Sequence, residues 1–368
     1  MLTRGRTGRR RLGTVAAAAA LVVGGGAAAS PSAAGVTAAP VAAAVPQIPA
    51  DGWERIAGPT RYDTAVELSR RTYPDVDPAC CPIGVVLASG EGFADALVAG
   101  TISVTRQWSR SVVLLVRSDS LPVVVAEELA RLRPRRLTVV GGAEAVSDEV
   151  VDAARVATGR DDVEVERYGG ANRYETAALV ADSRYFIWTE GYDPGNVNLA
   201  SGEDFPDALA ATWLSSGANP APLLLTRSDY LPAATARYLE IDPPSTDMHI
   251  RVIGGPAAVS DDVLREAQAR RPAAEVIRLA GRNRYETAAA VARGGGFAEP
   301  RTAYVVTGED FPDALVAAPV ADHQDAALLL TRQDCHPRAT VRVADELAIT
   351  RFVAVGGADV VYGGSRSC

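Results

Sequence analysis

The sequence repeats itself three times, and this internal repetition constrains the fold more than any other feature. One block of eleven residues occurs as Arg55–Ala65, Arg167–Ala177 and Arg278–Ala288. Its tyrosines Tyr62, Tyr174 and Tyr285 lie 112 and 111 residues apart. Solenoid repeats span only about 20–50 residues, so each copy is long enough to be a small domain.

Three further blocks follow in the same order within each copy. The first has the form Ser/Thr-Gly-Glu-x-Phe-x-Asp-Ala-Leu and occurs as Ser89–Leu97, Ser201–Leu209 and Thr307–Leu315. The second is an apolar run before a polar turn, at 112–116, 222–226 and 327–331. The third is an apolar run that ends in a glycine pair: Gly141-Gly142, Gly254-Gly255 and Gly356-Gly357.

Within a copy, apolar runs alternate with helix-start signals. Capping boxes, in which the fourth side chain reaches back to the cap amide, are predicted at Thr60–Asp63, Asn172–Glu175 and Asn283–Glu286. The second copy predicts strands at 197–200, 223–225 and 250–253, with helices beginning near Pro206 and after Ser260. Continuous apolar strands separated by helices indicate a parallel sheet covered on both faces. The fold class is therefore α/β in three tandem modules, and the third copy stops too soon after Gly357 to complete its last helix.

The N-terminus is a different kind of sequence. Five arginines (Arg4, Arg6, Arg9, Arg10 and Arg11) precede an apolar run from Thr14 to about Ala29, followed by small residues. This order is typical of a secretory signal peptide, and the run is too short and glycine-rich for a membrane span. We predict a signal peptide at 1–34, an Ala/Pro-rich spacer at 35–52, and modules at 53–163, 164–274 and 275–368. The arginine run leaves general and twin-arginine export both open.

The charge balance excludes a nucleic-acid partner. The chain has a formal net charge of −8, and loss of the five signal-peptide arginines changes it to −13. Sequence-independent nucleic-acid binding needs a basic surface to neutralise phosphates. A polyanion that binds this chain must be held by local clusters of arginine.

Four cysteines remain after export, which permits disulfides. They are Cys80, Cys81, Cys335 and Cys368 and allow three pairings. Cys335 with Cys368 is the favoured pair, because both lie in the last module and would fix the C-terminus. The pairing of Cys80 and Cys81 is left open, and the absence of Cys-x-x-Cys argues against a metal site.

Two polar pairs recur in every copy. An Arg-Tyr pair opens a predicted helix at Arg61-Tyr62, Arg173-Tyr174 and Arg284-Tyr285. A Glu and an Asp four residues apart follow a predicted strand at Glu91 and Asp95, Glu203 and Asp207, and Glu309 and Asp313. Paired carboxylates can hydrolyse glycosidic bonds. We favour a structural role, with the Asp in a first helical turn and the Glu bound to amides or to an arginine.

No other catalytic pattern is visible in the sequence. The three histidines recur in no block, and the zinc-protease, nucleophile-elbow and Walker motifs are absent. We therefore predict a non-enzymatic protein without cofactor or metal.

In combination, these blocks resemble the cell wall binding repeat 2 family of exported Gram-positive proteins. The resemblance rests on Arg-x-x-Gly-x-x-Arg-Tyr-x-Thr-Ala, Ser-Gly-Glu-x-Phe-Pro-Asp-Ala-Leu, a Pro-Ile-Leu-Leu run and the glycine pair, and it covers about 53–364. It implies Rossmann-like modules that occur in threes around a pseudo-threefold axis. It also implies non-covalent anchoring to an anionic secondary wall polymer, teichoic acid-like or another polysaccharide.

The resemblance ties the Pro-Ile-Leu-Leu motif to binding. The second copy matches it with one conservative change, whereas the first and third lack the proline, so the number of binding modules is left open. The apolar triplets are more typical of core strand than of ligand contact. The polymer-binding candidates are Arg173, Tyr174, Glu203, Asp207, Pro222, Leu223, Leu224, Leu225, Arg227, Arg61, Tyr62, Arg284, Tyr285, Glu309 and Asp313.

The sequence thus predicts a secreted, wall-associated binding protein with no membrane span once the signal peptide is removed. Two alternatives stay open. One is a peptidoglycan hydrolase of the N-acetylmuramoyl-L-alanine amidase type, or its modifier. The other is a surface adhesin or scaffold with a protein partner.

Overall fold

The computed structural model describes residue 48 and residues 50–76, 83–103, 111–183, 196–215, 221–241, 248–294 and 300–368. They belong to one compact unit, Val45–Cys368. The predicted signal peptide, most of the spacer, and Cys80 and Cys81 lie outside the described residues. Along the described parts, no helix combines the length and the apolar character needed to cross a membrane.

Twelve described strands form three parallel sheets of four strands each, which confirms the predicted fold class. In spatial order, the first sheet contains β3 (Ser111–Val116), β2 (Gly84–Ser89), β4 (Arg136–Val140) and β5 (Glu164–Tyr168). The second contains β7 (Leu223–Thr226), β6 (Asn196–Ser201), β8 (His249–Ile253) and β9 (Glu275–Leu279). The third contains β11 (Ala327–Thr331), β10 (Thr302–Thr307), β12 (Arg351–Val355) and β1 (Trp53–Ile56).

Helices cover the sheets in each repeat. The first repeat has α1 (Arg61–Thr72), α2 (Phe93–Ala96), α3 (Ala99–Ser103), α4 (Val123–Leu132) and α5 (Asp148–Ala157). The second has α6 (Arg173–Ala181), α7 (Pro206–Leu214), α8 (Ala233–Leu239) and α9 (Asp261–Arg270). The third has α10 (Arg284–Gly294), α11 (Pro312–His323) and α12 (Arg338–Glu346). The strands between them are largely buried, as expected for a sheet with two covered faces.

The strand that opens each sequence repeat pairs in the sheet of another repeat. β5 pairs with β4, and β9 pairs with β8. β1 closes the cycle by pairing with β12, in a register that runs from Trp53↔Phe352 to Ile56↔Val355. Because each repeat supplies one strand to another, the three repeats form a closed ring.

Helices from the three repeats meet at the centre of this ring. Thr212 Oγ1 donates to the carbonyl oxygen of Leu97 at 3.2 Å, and Trp213 Nε1 donates to that of Ala326 at 3.0 Å. Gly100 permits the close approach, because a Cβ there would lie only 2.6 Å from Thr212 Cγ2. α3, α7 and α11 therefore pack around a pseudo-threefold axis.

The helices at this axis are not equivalent. α7 and α11 begin with Pro206 and Pro312 at their first position, where the fixed φ of proline favours a helix. The first repeat has Ala94 instead, and its helix is divided into the short α2 and α3. The first repeat is thus the irregular member of the ring.

Of the three predicted capping boxes, only the one in the first copy forms as predicted. The Thr60 hydroxyl accepts from the amide of Asp63, whose carboxylate accepts from the amide of Thr60. In the other copies the asparagine caps the helix, but the glutamate accepts from the residue before the cap: Glu175 from Ala171, and Glu286 from Arg282. The prediction was wrong in this detail because glutamate, one methylene longer than aspartate, reaches one residue further.

The C-terminus is fixed against the start of the ring. No helix follows Gly357, and the chain runs instead to Cys368, which forms a disulfide with Cys335 at a Cα–Cα distance of 5.8 Å. The buried ring of His336 lies between Thr331 Oγ1 at 2.7 Å and the Gly364 carbonyl at 2.9 Å. It also stacks on Trp53 of β1, with centroids 5.1 Å apart.

Candidate functional site

The recurring polar residues gather where the parallel strands of the three sheets end. The Ser/Thr-Gly-Glu blocks follow the carboxyl ends of β2, β6 and β10, and the Arg-Tyr pairs open the helices that face them. Ligands of open α/β sheets bind at the carboxyl ends of the strands. This edge of the ring is therefore the candidate site.

Three phenylalanines form the centre of this edge. The ring centroids of Phe93, Phe205 and Phe311 lie 5.9, 6.1 and 6.2 Å from one another. We did not predict them as site residues, although a phenylalanine at the fifth position of all three Ser/Thr-Gly-Glu blocks could have indicated them.

An arginine from each Arg-Tyr pair lies over one of these rings. Arg173 Cζ is 5.1 Å from the Phe93 centroid, Arg284 Cζ is 5.7 Å from that of Phe205, and Arg61 Cζ is 5.9 Å from that of Phe311. Each guanidinium also donates to a glycine carbonyl of its own repeat, at Gly202, Gly308 and Gly90 respectively. Because each arginine reaches the phenylalanine of another repeat, the three cation–π pairs exist only in the assembled ring.

Two of these arginines also face an aspartate across the repeat boundary. Arg61 lies 3.6 Å from Asp310, and Arg284 lies 3.8 Å from Asp204. These aspartates occupy the variable position of the Ser/Thr-Gly-Glu-x-Phe block, which we did not identify as part of the site. The first repeat has Gly92 at that position.

The tyrosines of the Arg-Tyr pairs lie beneath a second set of arginines. Arg117 Cζ is 5.2 Å from the ring centroid of Tyr62, and Arg332 Cζ is 5.5 Å from that of Tyr285. Burial, followed by the carboxylates of Glu91 and Glu309, raises the pKa of these two phenols, so both remain neutral. In the second repeat, burial raises the pKa of Tyr174 as well.

The predicted residue Arg227 belongs to this second set. It lies at the end of β7, 2.9 Å from Glu203, and its guanidinium is 5.3 Å from the Tyr230 centroid. Its positive charge lowers the pKa of Tyr174 and so partly offsets the larger effect of burial. The structure thus brings Arg227, Tyr174 and Glu203 together.

Two of the three glutamates of the predicted acid pairs, Glu91 and Glu203, hold the neighbouring loops. Glu203 Oε2 accepts from the amide of Ser228 at 2.8 Å, and Glu91 Oε2 accepts from that of Ser118 at 2.9 Å. These bonds to serine hydroxyl and amide lower the pKa of both carboxyls. Glu309 is exposed, and its own amide donates to Thr307 Oγ1 at 3.0 Å.

The aspartates of the pairs lie deeper, against the glycine turns. Asp207 packs on Gly254 and shares a cleft with Thr287 of the next repeat, and Asp313 packs on Gly356. Burial raises the pKa of Asp207, and it raises the pKa of Asp313 to about 6. With Glu91 and Glu203 bound to loops and Asp207 and Asp313 packed on glycine backbone, these acidic side chains maintain the turns around the site.

The apolar candidates lie in the interior. Leu223, Leu224 and Leu225 form β7 and are at most 1% exposed, and Pro222 before them is buried. Their side chains therefore pack in the core, while the residues at the end of the strand reach the site edge.

A cleft of about 410 Å³ opens at the boundary of the second and third repeats. Its lining includes Glu203, Asp204, Asp207, Arg282, Arg284 and Thr287. Acidic and basic groups thus face the same space from two repeats. Among the described residues, no group of three or more His, Cys, Asp or Glu side chains is placed to hold a metal ion.

The chain belongs to the family of cell wall binding domain 2, whose model matches residues 55–151, 167–264 and 278–364. The threefold match confirms the predicted resemblance and identifies the modules as cell wall binding modules. Cell wall association of the chain follows from this membership.

Two curated relatives and two solved structures are similar to this chain. The N-acetylmuramoyl-L-alanine amidase LytC of Bacillus subtilis (strain 168) is 26% identical over 308 residues, covering 84% of this chain and 56% of the relative. The amidase enhancer of the same organism is 26% identical over 303 residues, covering 82% and 38%. The chain therefore spans about half the length of these relatives or less.

The solved structures are Cwp6 and Cwp8 of Clostridium difficile. Cwp6 aligns with a TM-score of 0.69 and 24% identity, over 84% of this chain and 46% of that one. Cwp8 aligns with a TM-score of 0.70 and 24% identity, over 84% and 50%. At this identity, the likeness shows that the fold is shared.

Proposed function

We propose that this chain anchors non-covalently to the cell wall by binding an anionic secondary wall polymer at the edge that carries Arg61, Arg173 and Arg284. The observation that carries the proposal is this triangle of arginines over three phenylalanines. On a chain with a net charge of −8, it concentrates cations on one small surface. Guanidinium groups bind phosphate and carboxylate in two-pronged geometry.

The aromatic base of the site suits a polymer ligand. The phenylalanines restrain the arginines by cation–π contact, so that less conformational entropy is lost on binding. The second set of arginines, over the tyrosines of the Arg-Tyr pairs, adds further cations at this edge. A polymer with repeated anionic groups could therefore contact more than one repeat, and its binding would weaken with salt.

Sedimentation with purified walls tests this proposal. We expect the chain to sediment with native walls and to remain in solution with walls stripped of phosphate-linked polymers by hydrofluoric acid. Equal binding to both preparations would exclude recognition of such a polymer, and binding to neither would exclude the wall-binding function.

The names of the two curated relatives support a second candidate, in which this chain hydrolyses peptidoglycan or modifies such an enzyme. The acid pair Glu203 and Asp207 would then be the reactive groups. Zymography on purified walls tests this candidate: clearing that Glu203→Gln and Asp207→Asn abolish would support it. A third candidate, a surface adhesin or scaffold, predicts that protease treatment of the walls reduces binding.

A further inference from the structure

The three arginine–phenylalanine pairs differ in one respect, which is the presence of an internal carboxylate. Arg61 and Arg284 each face an aspartate of another repeat, at 3.6 and 3.8 Å. Arg173 faces Gly92 at the matching position, and among the described residues it forms no ion pair. Its positive charge is therefore the least neutralised of the three.

The nearest acidic side chain does not replace the missing aspartate. Glu203 is within electrostatic reach of Arg173, but its carboxylate is already engaged by Arg227 at 2.9 Å and by the amide of Ser228 at 2.8 Å. A guanidinium has five N–H donors, and Arg173 uses one nitrogen to bond the Gly202 carbonyl. Donors on Arg173 remain for an external anion.

The backbone of Gly92 does not explain why a carboxylate is missing. Its φ of −132° is an ordinary extended conformation that any residue adopts. A Cβ built there would have nothing within 4 Å. The position next to Arg173 is thus open space in the first repeat, where the other two repeats hold an acidic side chain.

We propose that the boundary between the first and second repeats, formed by Arg173, Phe93 and Gly92, is the principal anion-binding position of the ring. It takes one phosphate or carboxylate group of the wall polymer, in the place that Asp204 and Asp310 occupy at the other two boundaries. This proposal rests on the proposed function and makes it specific, because it assigns one preferred position instead of three equal ones.

Filling the position with an internal carboxylate is the direct test. We expect Gly92→Asp to bind native walls about tenfold more weakly in the sedimentation assay than Gly92→Asn, because one charge-assisted contact is lost. Asparagine has nearly the same size as aspartate without the charge. Val156→Asp, at a surface position that is 72% exposed on α5, has the same change in net charge and controls for it. Far-ultraviolet circular dichroism and a melting curve verify that each variant is folded.

Substitution of the arginines gives an independent test. Arg173→Gln should reduce wall binding more than Arg61→Gln or Arg284→Gln, and Asp204→Gly should increase binding by releasing Arg284. Competition with polyglycerol phosphate and with polygalacturonate distinguishes a phosphate from a carboxylate as the bound group.

The outcomes separate the two proposals. If the wild-type chain binds native walls but Gly92→Asp and Gly92→Asn bind equally well, the preferred position is wrong while the proposed function stands. Equal losses of wall binding in the three arginine variants would also overturn the preferred position. If the wild-type chain binds no wall preparation, both proposals fail.

Discussion

The guanidinium of Arg55 donates to the carbonyl oxygen of Gly356 at 2.6 Å, across 301 residues of sequence. A second bond joins Arg55 to the carbonyl of Val361 at 3.0 Å. Arg167 and Arg278 make the same pair of bonds in the other two sheets, to Gly141 and Val146 and to Gly254 and Val259. At Arg55 these bonds close the ring.

Removing this contact should destabilise the whole ring. We expect Arg55→Ala to lower the free energy of unfolding by roughly 2–4 kcal/mol, because two charge-assisted bonds are lost and two carbonyls are left without them. Urea unfolding measures the change. Arg265→Ala, which removes an exposed ion pair with Asp262 on α9, is the control and should change stability by less than about 1 kcal/mol.

Reduction of the C-terminal disulfide should also be costly. Cys335 and Cys368 are separated by 33 positions, and cross-links of this span contribute about 2–4 kcal/mol. We expect the double variant Cys335→Ala/Cys368→Ala to lose that much in urea unfolding. A loss well under 1 kcal/mol would mean that the contacts of His336 hold the tail without the cross-link.

Local sequence patterns predicted the strands but not the sheets to which they belong. The segment before each Arg-Tyr pair is equivalent in all three repeats. Hydrophobic periodicity therefore cannot distinguish a strand that pairs within its own repeat from one that pairs in the sheet of another repeat. The exchange is seen only in the strand pairings of the folded ring, of β1 with β12, β5 with β4 and β9 with β8. Contacts that are remote in sequence and repeated in every copy leave no local signal.

Some residues of the candidate site were likewise predictable from the sequence, and others were not. The Arg-Tyr pairs and the acidic residues were predicted because each recurs within a short block. The phenylalanine triangle, Asp204 and Asp310 were missed because their partners lie in other repeats. The role of Gly92 follows from a difference between copies, which has a meaning only after the ring places it opposite Arg173.

Protonation of His336, which stacks on Trp53 of β1, should lower the free energy of unfolding on acidification. Burial lowers its pKa to about 4, below the ordinary value of 6.5, so the unfolded chain binds the proton first as the pH falls. The stability that neutral His336 contributes is therefore complete above about pH 6.5 and is lost between about pH 6.5 and 4, at a cost of about 3 kcal/mol. Urea unfolding at several pH values should therefore show the stability difference between the wild type and His336→Gln shifting by this amount in favour of His336→Gln from pH 6.5 to 4. The same shift is expected when His249→Gln takes the place of the wild type in this comparison.

Asp313 should have the opposite effect over a similar range. Burial raises its pKa to about 6 from an ordinary 3.8, so the folded state binds the proton first as the pH falls from 7. The cost of its buried charge is greatest above about pH 6 and is relieved toward pH 4, by about 3 kcal/mol. The stability difference between the wild type and Asp313→Asn should therefore shift in favour of the wild type on acidification. A pH-independent difference would show that Asp313 titrates like an exposed carboxyl.

The glycine pair Gly254-Gly255 offers a matched test of how Asp207 supports the site. Gly254 has a φ of +114°, and a Cβ there would lie 2.6 Å from Asp207 Oδ2. Gly254→Ala should therefore cost roughly 2–5 kcal/mol, since it strains the backbone and displaces the Asp207 carboxylate.

The adjacent Gly255 has no positive φ, and a Cβ there would meet only the Gly281 carbonyl at 3.9 Å. Gly255→Ala should thus change stability by less than about 1 kcal/mol. In Gly254→Ala/Asp207→Ala the conflict with the carboxylate is removed, while the backbone strain and a close contact with Ala258 Cβ at 3.0 Å remain. If the double variant is no more stable than the sum of the two single changes predicts, Asp207 and Gly254 are not coupled, and the aspartate does not support this turn.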